Sequence, residues 1–389
     1  MLKNFKKSIK IYFFIVLIIP SLLFSYIYYY DPMQIFHKSY IQNDLHLHDN
    51  MRQQSAGIIN NFEFDSIILG TSMLENTSSF EASEILGGNF VNISISGSDF
   101  YERKFVLSHA LKKKDIKYVI YSIDVDSYNL RKGHENYSID TFDYLYDENL
   151  FNDFNVYLNE KFFKCILTFS KDKSCIGNKK TLEYPNNWFT NKVYSDRFGG
   201  LDNWFKAKND KRIKDVFSSI VSVSQRIKKG EKIPLDGIEE NIKKHEDYLN
   251  EYLLDNVKKY KNTKFIFVFP PYSRMHYAQW KQYNQPKYEI HKAIIKYLVQ
   301  QSFIHKNLEI YGYEDKDFLD DISNYKDLSH YHQSINSMML QSFKNKTELV
   351  TIENIDNYIK VAEKKAQNYN VSEIADKIEE YLKDNKQKK

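Results

Sequence analysis

The stretch Ile67-Ile68-Leu69-Gly70-Thr71-Ser72-Met73-Leu74-Glu75-Asn76 decides how this chain is read. Three consecutive aliphatic residues leave no polar face, so they predict a strand buried on both sides, the kind found in parallel sheets covered by helices. Gly70 lets the backbone turn tightly at the end of the run, which delivers Ser72 to the carboxyl edge of the sheet, where ligands bind in open α/β folds. The segment after Ser72 is expected to begin a helix whose first N–H groups favour an anion. The same kind of run recurs outward along the chain, at Phe90-Val91-Asn92-Ile93, Tyr118-Val119-Ile120-Tyr121-Ser122-Ile123, Lys264-Phe265-Ile266-Phe267-Val268-Phe269 and Leu308-Glu309-Ile310-Tyr311. Five short apolar strands separated by amphipathic stretches predict an α/β fold with a doubly wound parallel sheet.

Residues 238–260 illustrate the covering helices. Ile242, His245, Leu249, Leu253 and Val257 recur at helical spacing, with Glu and Lys opposite, and lead straight into the strand at Phe265. Residues 131–237 break this alternation. They hold Trp188 and Trp204, each inside an Asn-Trp-Phe tripeptide, together with both cysteines, and are read as an aromatic-rich insertion over the carboxyl edge of the sheet. The α/β domain is expected over 61–345. Residues 346–389 are expected to form two terminal helices and a basic tail ending in Lys386, Lys388 and Lys389, with Asn370 and Glu373 as a cap pair.

At the other end, Lys3, Lys6, Lys7 and Lys10 precede a run from Ile11 to Tyr30 that carries no charge. Such a run, at about 1.5 Å per residue, is as long as a bilayer core is thick. Lysines before it and Asp31 after it orient the N-terminus to the cytoplasm, and the tyrosines at its end suit the far interface. No small-x-small site follows, so residues 1–30 are read as a cytoplasmic tail with an uncleaved signal-anchor transmembrane helix, followed by a membrane-proximal segment over 31–60. In that segment Asp44-Leu45-His46-Leu47-His48-Asp49 carries potential metal ligands but no helical ligand spacing, and no metal or organic cofactor is expected. Cys165 and Cys175 are free to pair outside the cytoplasm; the sequence leaves a disulfide and two separate thiols equally open.

The balance of 55 basic and 51 acidic side chains gives a formal charge of +4, which argues against a polyanion-coating protein, and no nucleic acid is expected as a partner. Aromatic residues reach 16%, but in a chain so rich in Lys, Asn and Ile this reflects biased composition and carries no functional weight.

Far downstream lies Asp327-Leu328-Ser329-His330-Tyr331-His332, ahead of a helical pattern containing Ile335, Met338, Met339 and Phe343. A serine hydroxyl needs a neighbouring base to attack an ester, and an imidazole needs a carboxylate to fix its tautomer. Asp-x-x-His supplies both on one turn, and His332 is a second candidate base. Pro270-Pro271-Tyr272-Ser273-Arg274 stops the fourth strand and aims Tyr272 and Arg274 at the same sheet edge, which makes Arg274 a candidate substrate-binding residue.

Taken with their positions after the first and fifth strands, these blocks resemble the SGNH, or GDSL-like, hydrolase and acyltransferase superfamily, over roughly residues 60 to 345. Gly70-Thr71-Ser72 is similar to the nucleophile block, with Thr71 where that family often has Asp, and Asp327 with His330 to the terminal block. Asn92-Ile93-Ser94-Ile95-Ser96-Gly97 resembles the block whose glycine N–H joins the oxyanion hole. The chain departs from the pattern after the third strand, where Ser122-Ile123-Asp124-Val125-Asp126-Ser127-Tyr128-Asn129 replaces Gly-x-Asn-Asp. An ionised Asp124 cannot donate to an oxyanion, which leaves Asn129 or backbone N–H groups for that role.

The resemblance is to the anchored proteins of bacterial surface-polymer modification, such as those of alginate O-acetylation and lipoteichoic-acid D-alanylation. It implies a flavodoxin-like sheet, catalysis by Ser72, His330 and Asp327, an oxyanion contact from Gly97, and no metal, while Asn129 and Arg274 remain this chain's own candidates for oxyanion and substrate contacts. The activity it implies is that of a serine esterase or O-acyltransferase handling a small acyl group on a cell-surface glycan, outside the cytoplasmic membrane, with a membrane acyl exporter as partner. The rival expectation is a non-catalytic anchored scaffold or glycan-binding protein. A nucleotide-binding sheet is a weaker third reading, because no phosphate loop accompanies Gly-Thr-Ser.

Overall fold

The computed structural model describes residues 2–124 and 129–387; Val125, Asp126, Ser127 and Tyr128 of the third block and Lys388 and Lys389 of the tail lie outside the described residues. Strands β1 (Ser66–Leu69), β2 (Phe90–Asn92), β3 (Tyr118–Ser122), β4 (Lys264–Val268) and β5 (Leu308–Tyr311) form one parallel sheet in the order β2-β1-β3-β4-β5. Ile67 lies opposite Val91 and Val119, and Ile120 opposite Ile266. Alternate side chains point to opposite faces: Ile67, Leu69, Val119, Tyr121, Phe265 and Phe267 enter one core, and Ile68, Ile120, Ile266 and Val268 the other. Both faces being covered is the reason the strands read as unbroken apolar runs.

In chain order the helices of eight or more residues are α1 (Leu2–Tyr30), α2 (Met51–Asn61), α3 (Ser79–Leu86), α4 (Phe100–Lys113), α5 (Glu160–Thr168) and α6 (Lys211–Lys228). They continue with α7 (Ile238–Leu249), α8 (Arg274–Gln282), α9 (Gln285–Ile304), α10 (Gln333–Asn345), α11 (Ile355–Asn368) and α12 (Val371–Gln387). Helices α2, α4, α7 and α9 pack on the first face, and α3, α6, α8, α10 and α12 on the second. Helix α4 is fixed at its start by a capping box between Asp99 and Glu102, and Glu102 in turn forms a buried ion pair with Arg52 of α2, at 2.7 Å. Asn370 accepts from the Glu373 N–H at the start of α12, which runs on through Lys386.

Three features differ from the sequence expectation. The helix expected over 238–260 is interrupted by a π-turn at Asn250–Leu254 before it resumes over Asp255–Lys259. The wider turn keeps three consecutive side chains, Tyr252, Leu253 and Leu254, buried against the sheet. Residues 31–60, expected as a membrane-proximal segment, also supply core: Met33, Ile35, Leu47, Ile58 and Ile59 share the core of the first sheet face. The insertion also divides. Its first part, carrying Phe142, Tyr157 and α5, packs with the α1 end and α2, whereas its second part, with Trp204 and α6, covers the other face. Cys165 and Cys175 are joined as a disulfide.

Helix α1 is long and apolar enough to cross a membrane over Lys10–Tyr30, with a mean hydropathy of 2.2 and almost none of it buried. It joins the domain without a spacer. The Asp31 carboxylate accepts the N–H groups of Ile35, Phe36 and His37 and the Tyr157 hydroxyl, so the chain turns directly off the helix into the fold.

Candidate active site

The order of the strands reverses between β1 and β3, and at that point a crevice opens outside their carboxyl ends. Gly70 is required there by close approach: a Cβ on it would meet Ser122 Oγ at 2.5 Å and the Leu74 side chain at 2.9 Å. Beyond it, residues 71–77 do not start a helix; α3 begins only at Ser79. Side chains take the carbonyls that a helix would have used. Trp188 Nε1–H donates to the Ser72 carbonyl at 2.7 Å, Tyr331 O–H to that of Met73 at 2.8 Å, and Asn92 Nδ2 to those of Leu74 and Thr77 at 2.8 Å. The expected helix N-terminus is therefore absent from Ser72, which sits on a turn held from outside.

Ser72 Oγ lies 2.9 Å from His330 Nε2. On the other side of the ring, His330 Nδ1 is 2.9 Å from Asp327 Oδ2, so an Nδ1–H donated to the carboxylate leaves Nε2 free to accept the serine proton. Asp327 is fully buried and also accepts the backbone N–H groups of Ser329 and His330, each at 2.9 Å, which ties ring and carboxylate into one loop. Burial by itself would raise the Asp327 pKa, but the His330, Lys326 and Arg212 charges and the His330 hydrogen bond outweigh it and hold the carboxyl well below the usual range. His332 does not approach Ser72. It caps α10, accepting the Ser334 N–H, and lies edge-on between Phe189 and Phe198.

Two cavities meet at the Ser72–His330 pair. One, of about 200 Å³, is bounded by Gly97, Asp124, Asn129, Arg131 and Tyr272. The other, of about 640 Å³, opens between Glu75, Trp188, Lys211 and Arg212. Gly97 lines both, at φ +64°, and among the described residues neither its N–H nor that of Ser72 has an acceptor. Asn129 is exposed on the cleft wall.

Asp124 has another task. It is buried, accepts from Thr71 Oγ1 at 2.7 Å and Ser122 Oγ at 2.5 Å, and pairs with the buried guanidinium of Arg103 at 3.3 Å. Its carboxylate thus ties the β1 turn to the end of β3.

Arg274 is not brought to Ser72. Its guanidinium is fully buried, donates to Asp320 and to the Glu314 and Lys316 carbonyls, and lines a different cavity beside His291. Of the same segment it is Tyr272 that reaches the cleft wall, while Ser273 binds the Leu328 carbonyl of the histidine loop through both its N–H and its hydroxyl. Among the described residues, those of the Asp44–Asp49 run included, no three His, Cys, Asp or Glu side chains are placed to hold a metal.

The insertion supplies what the motifs did not disclose. Trp188, besides holding the Ser72 carbonyl, meets the His330 ring edge-to-face at 5.4 Å, and Lys326 Nζ lies 4.4 Å from the centre of its ring. Trp204 Nε1–H donates to the Tyr325 carbonyl at 3.0 Å. Each Asn-Trp-Phe tripeptide thereby pins one of the two loops that meet at the site. Compared with family models, curated proteins and solved structures, the chain shows no match to any of them.

Proposed function

We propose that this chain is a single-pass protein of the bacterial cytoplasmic membrane with its domain on the outer side, where it acts as an SGNH-type serine esterase or O-acyltransferase on a small acyl group of a cell-surface glycan. The observation that carries the reading is the hydrogen-bonded chain from Ser72 Oγ through His330 to Asp327. The strand order, which is that of flavodoxin-like sheets, and the Cys165–Cys175 bridge, which suits an oxidising compartment, also support it.

In this reading His330 Nε2 takes the Ser72 proton as Oγ bonds to the acyl carbonyl carbon. The developing oxyanion sits against the Ser72 and Gly97 N–H groups, with Asn129 as a further donor. His330 then returns the proton to the departing alcohol and leaves an acyl-Ser72 ester. A sugar hydroxyl or water gives its proton to His330 as its oxygen bonds to the acyl carbon, and His330 passes that proton to Ser72 Oγ as the ester bond to Ser72 breaks. Asp327 stays ionised and stabilises the imidazolium in both halves. Transfer from a donor outside the membrane calls for a membrane acyl exporter as partner.

Labelling with a serine-directed fluorophosphonate and turnover of an acetyl-ester reporter test the proposal. Ser72→Ala is expected to abolish labelling and to lower the rate by about 10⁴ or more. Asn129→Ala is expected to cost about 10² to 10³ where its amide completes the oxyanion hole, and almost nothing where backbone N–H groups suffice. One observation favours a second reading, an anchored scaffold that binds glycan: the buried Arg103–Asp124 pair occupies the place of the missing donor block. That reading expects neither labelling nor turnover in wild type and unchanged surface-polymer modification in cells carrying Ser72→Ala.

A further inference from the structure

We infer that the face of the insertion formed by residues 150–169 is immersed in the outer leaflet beside α1, so that the protein grips the bilayer through an interfacial surface as well as through its span. The inference rests on the anchor reading of α1 and is independent of catalysis. Its first support is depth. The Phe154 ring meets that of Phe24 at 4.9 Å, and the Phe169 ring meets that of Tyr26 at 4.4 Å and also packs against Tyr29 and Tyr30. Phe24 precedes the end of the apolar span at Tyr30 by six residues, about 9 Å of helix. A side chain touching Phe24 is therefore below the level at which the span leaves the bilayer.

The second support is what surrounds those two contacts. Leu150, Phe151, Leu158, Phe163 and Leu167 are all exposed, Phe151 by 87%, although they flank rings packed on the anchor. On α5, Phe162, Cys165 and Ile166 face inward while Phe163 and Leu167, one turn apart, face outward. Beside them lies the exposed Glu160–Lys164 pair, and an outer face that sets two large apolar side chains next to a charged pair suits the boundary between headgroups and acyl chains. The neighbouring Lys161, Lys171 and Lys173 are exposed and fit the phosphate level of the headgroups. The α5 backbone satisfies its own hydrogen bonds and its end is fixed by the Cys165–Cys175 bridge, so the element tolerates partial immersion.

The occupant is lipid, and the test uses the full chain in phosphatidylcholine–phosphatidylglycerol vesicles whose acyl chains carry bromine near the headgroup end. Phe151→Trp and Leu167→Trp report on the face, Leu22→Trp on the outer half of the span, and wild type on the native tryptophans. The first two variants are expected to lose as large a fraction of their added emission as Leu22→Trp does. Quenching of Leu22→Trp alone overturns the immersion and leaves the anchor standing; it is also the outcome if a second copy or a membrane protein covers the face. Absence of quenching at Leu22→Trp removes the anchor reading and this inference together. Both reporter positions are exposed, and two independent sites guard against a local defect at either one.

Discussion

At the scale of single residues the site is a set of charges managed by burial. Glu75 lines the larger cavity beside Ser72 and is buried; burial pushes its pKa from 4.5 up to about 7, and the Asn186 hydrogen bond and the lysine charges only partly offset this. A carboxyl whose folded pKa is raised contributes stability that is lost as pH rises from its unfolded value through its folded one, here from about 4.5 to about 7, a change of about 3 kcal/mol. Glu75→Gln keeps the shape and the acceptor for Asn186 while removing the ionisation. It is expected to unfold at a higher temperature than wild type at pH 8 and at the same temperature at pH 4, in thermal scans of both proteins in one detergent. Equal transitions at pH 8 would show that the carboxylate is not strained by its surroundings.

The same scale shows what the sequence could and could not disclose. Ser72, Asp327 and His330 are legible because each sits in a short block next to a strand or a loop whose position the alternation sets. Arg274 is misleading for a physical reason: the prolines before it do stop the strand, but a guanidinium near a cluster of free carbonyls at residues 314–316 is drawn inward to bond them. Trp188 has no local signal at all. Its partner, Ser72, is more than a hundred residues away, and only its tripeptide kinship with Trp204, too short to carry meaning alone, hinted at a shared task.

Among elements, the join between β1 and β3 bears the most consequence. Arg103 reaches from α4 to Asp124 and the Ser122 carbonyl, and stacks on Phe100 and Tyr121, so one buried guanidinium holds a helix, a strand end and the Ser72 turn. Arg103→Met is expected to destabilise the fold by about 3 to 5 kcal/mol, because it leaves Asp124 buried without its charge partner. Arg103→Met combined with Asp124→Asn should recover part of that loss in denaturant unfolding; a double variant no better than the single one would mean that packing, not charge, is what Arg103 provides. The five strands were readable from their apolar runs. The π-turn in the helix after α7 was not, since a stripe spaced for an ordinary helix looks the same until three neighbouring buried residues demand the wider turn.

For the whole molecule, the reading of the span predicts which part faces outward. Protease added outside intact spheroplasts is expected to digest the chain beyond Asp31 and spare the N-terminal lysines; protection of the domain would reverse the orientation. The sequence suggested a tail, a span, a membrane-proximal segment and a domain in series. The structure builds that segment into the core, which the sequence did not disclose, because apolar residues such as Met33 and Ile35, scattered among polar ones, make no pattern until α2 and the insertion close over them.

On the proposed anchored reading, the Asp31 turn decides how the domain is presented to its surroundings. A domain on a flexible tether samples a hemisphere and meets molecules at many heights and angles. A domain whose first residue off the helix binds three of its own amides and a buried tyrosine has no tether to swing on. With α1 as the proposed membrane anchor, the crevice at Ser72 would travel in the plane of the bilayer at a fixed stand-off, with one attitude toward the surface. On the proposed acyl-transfer reading, a polymer substrate has to thread past that height, and an acyl donor has to present its group from a matching position. Its reach is set by the geometry of one carboxylate, not by the length of a linker.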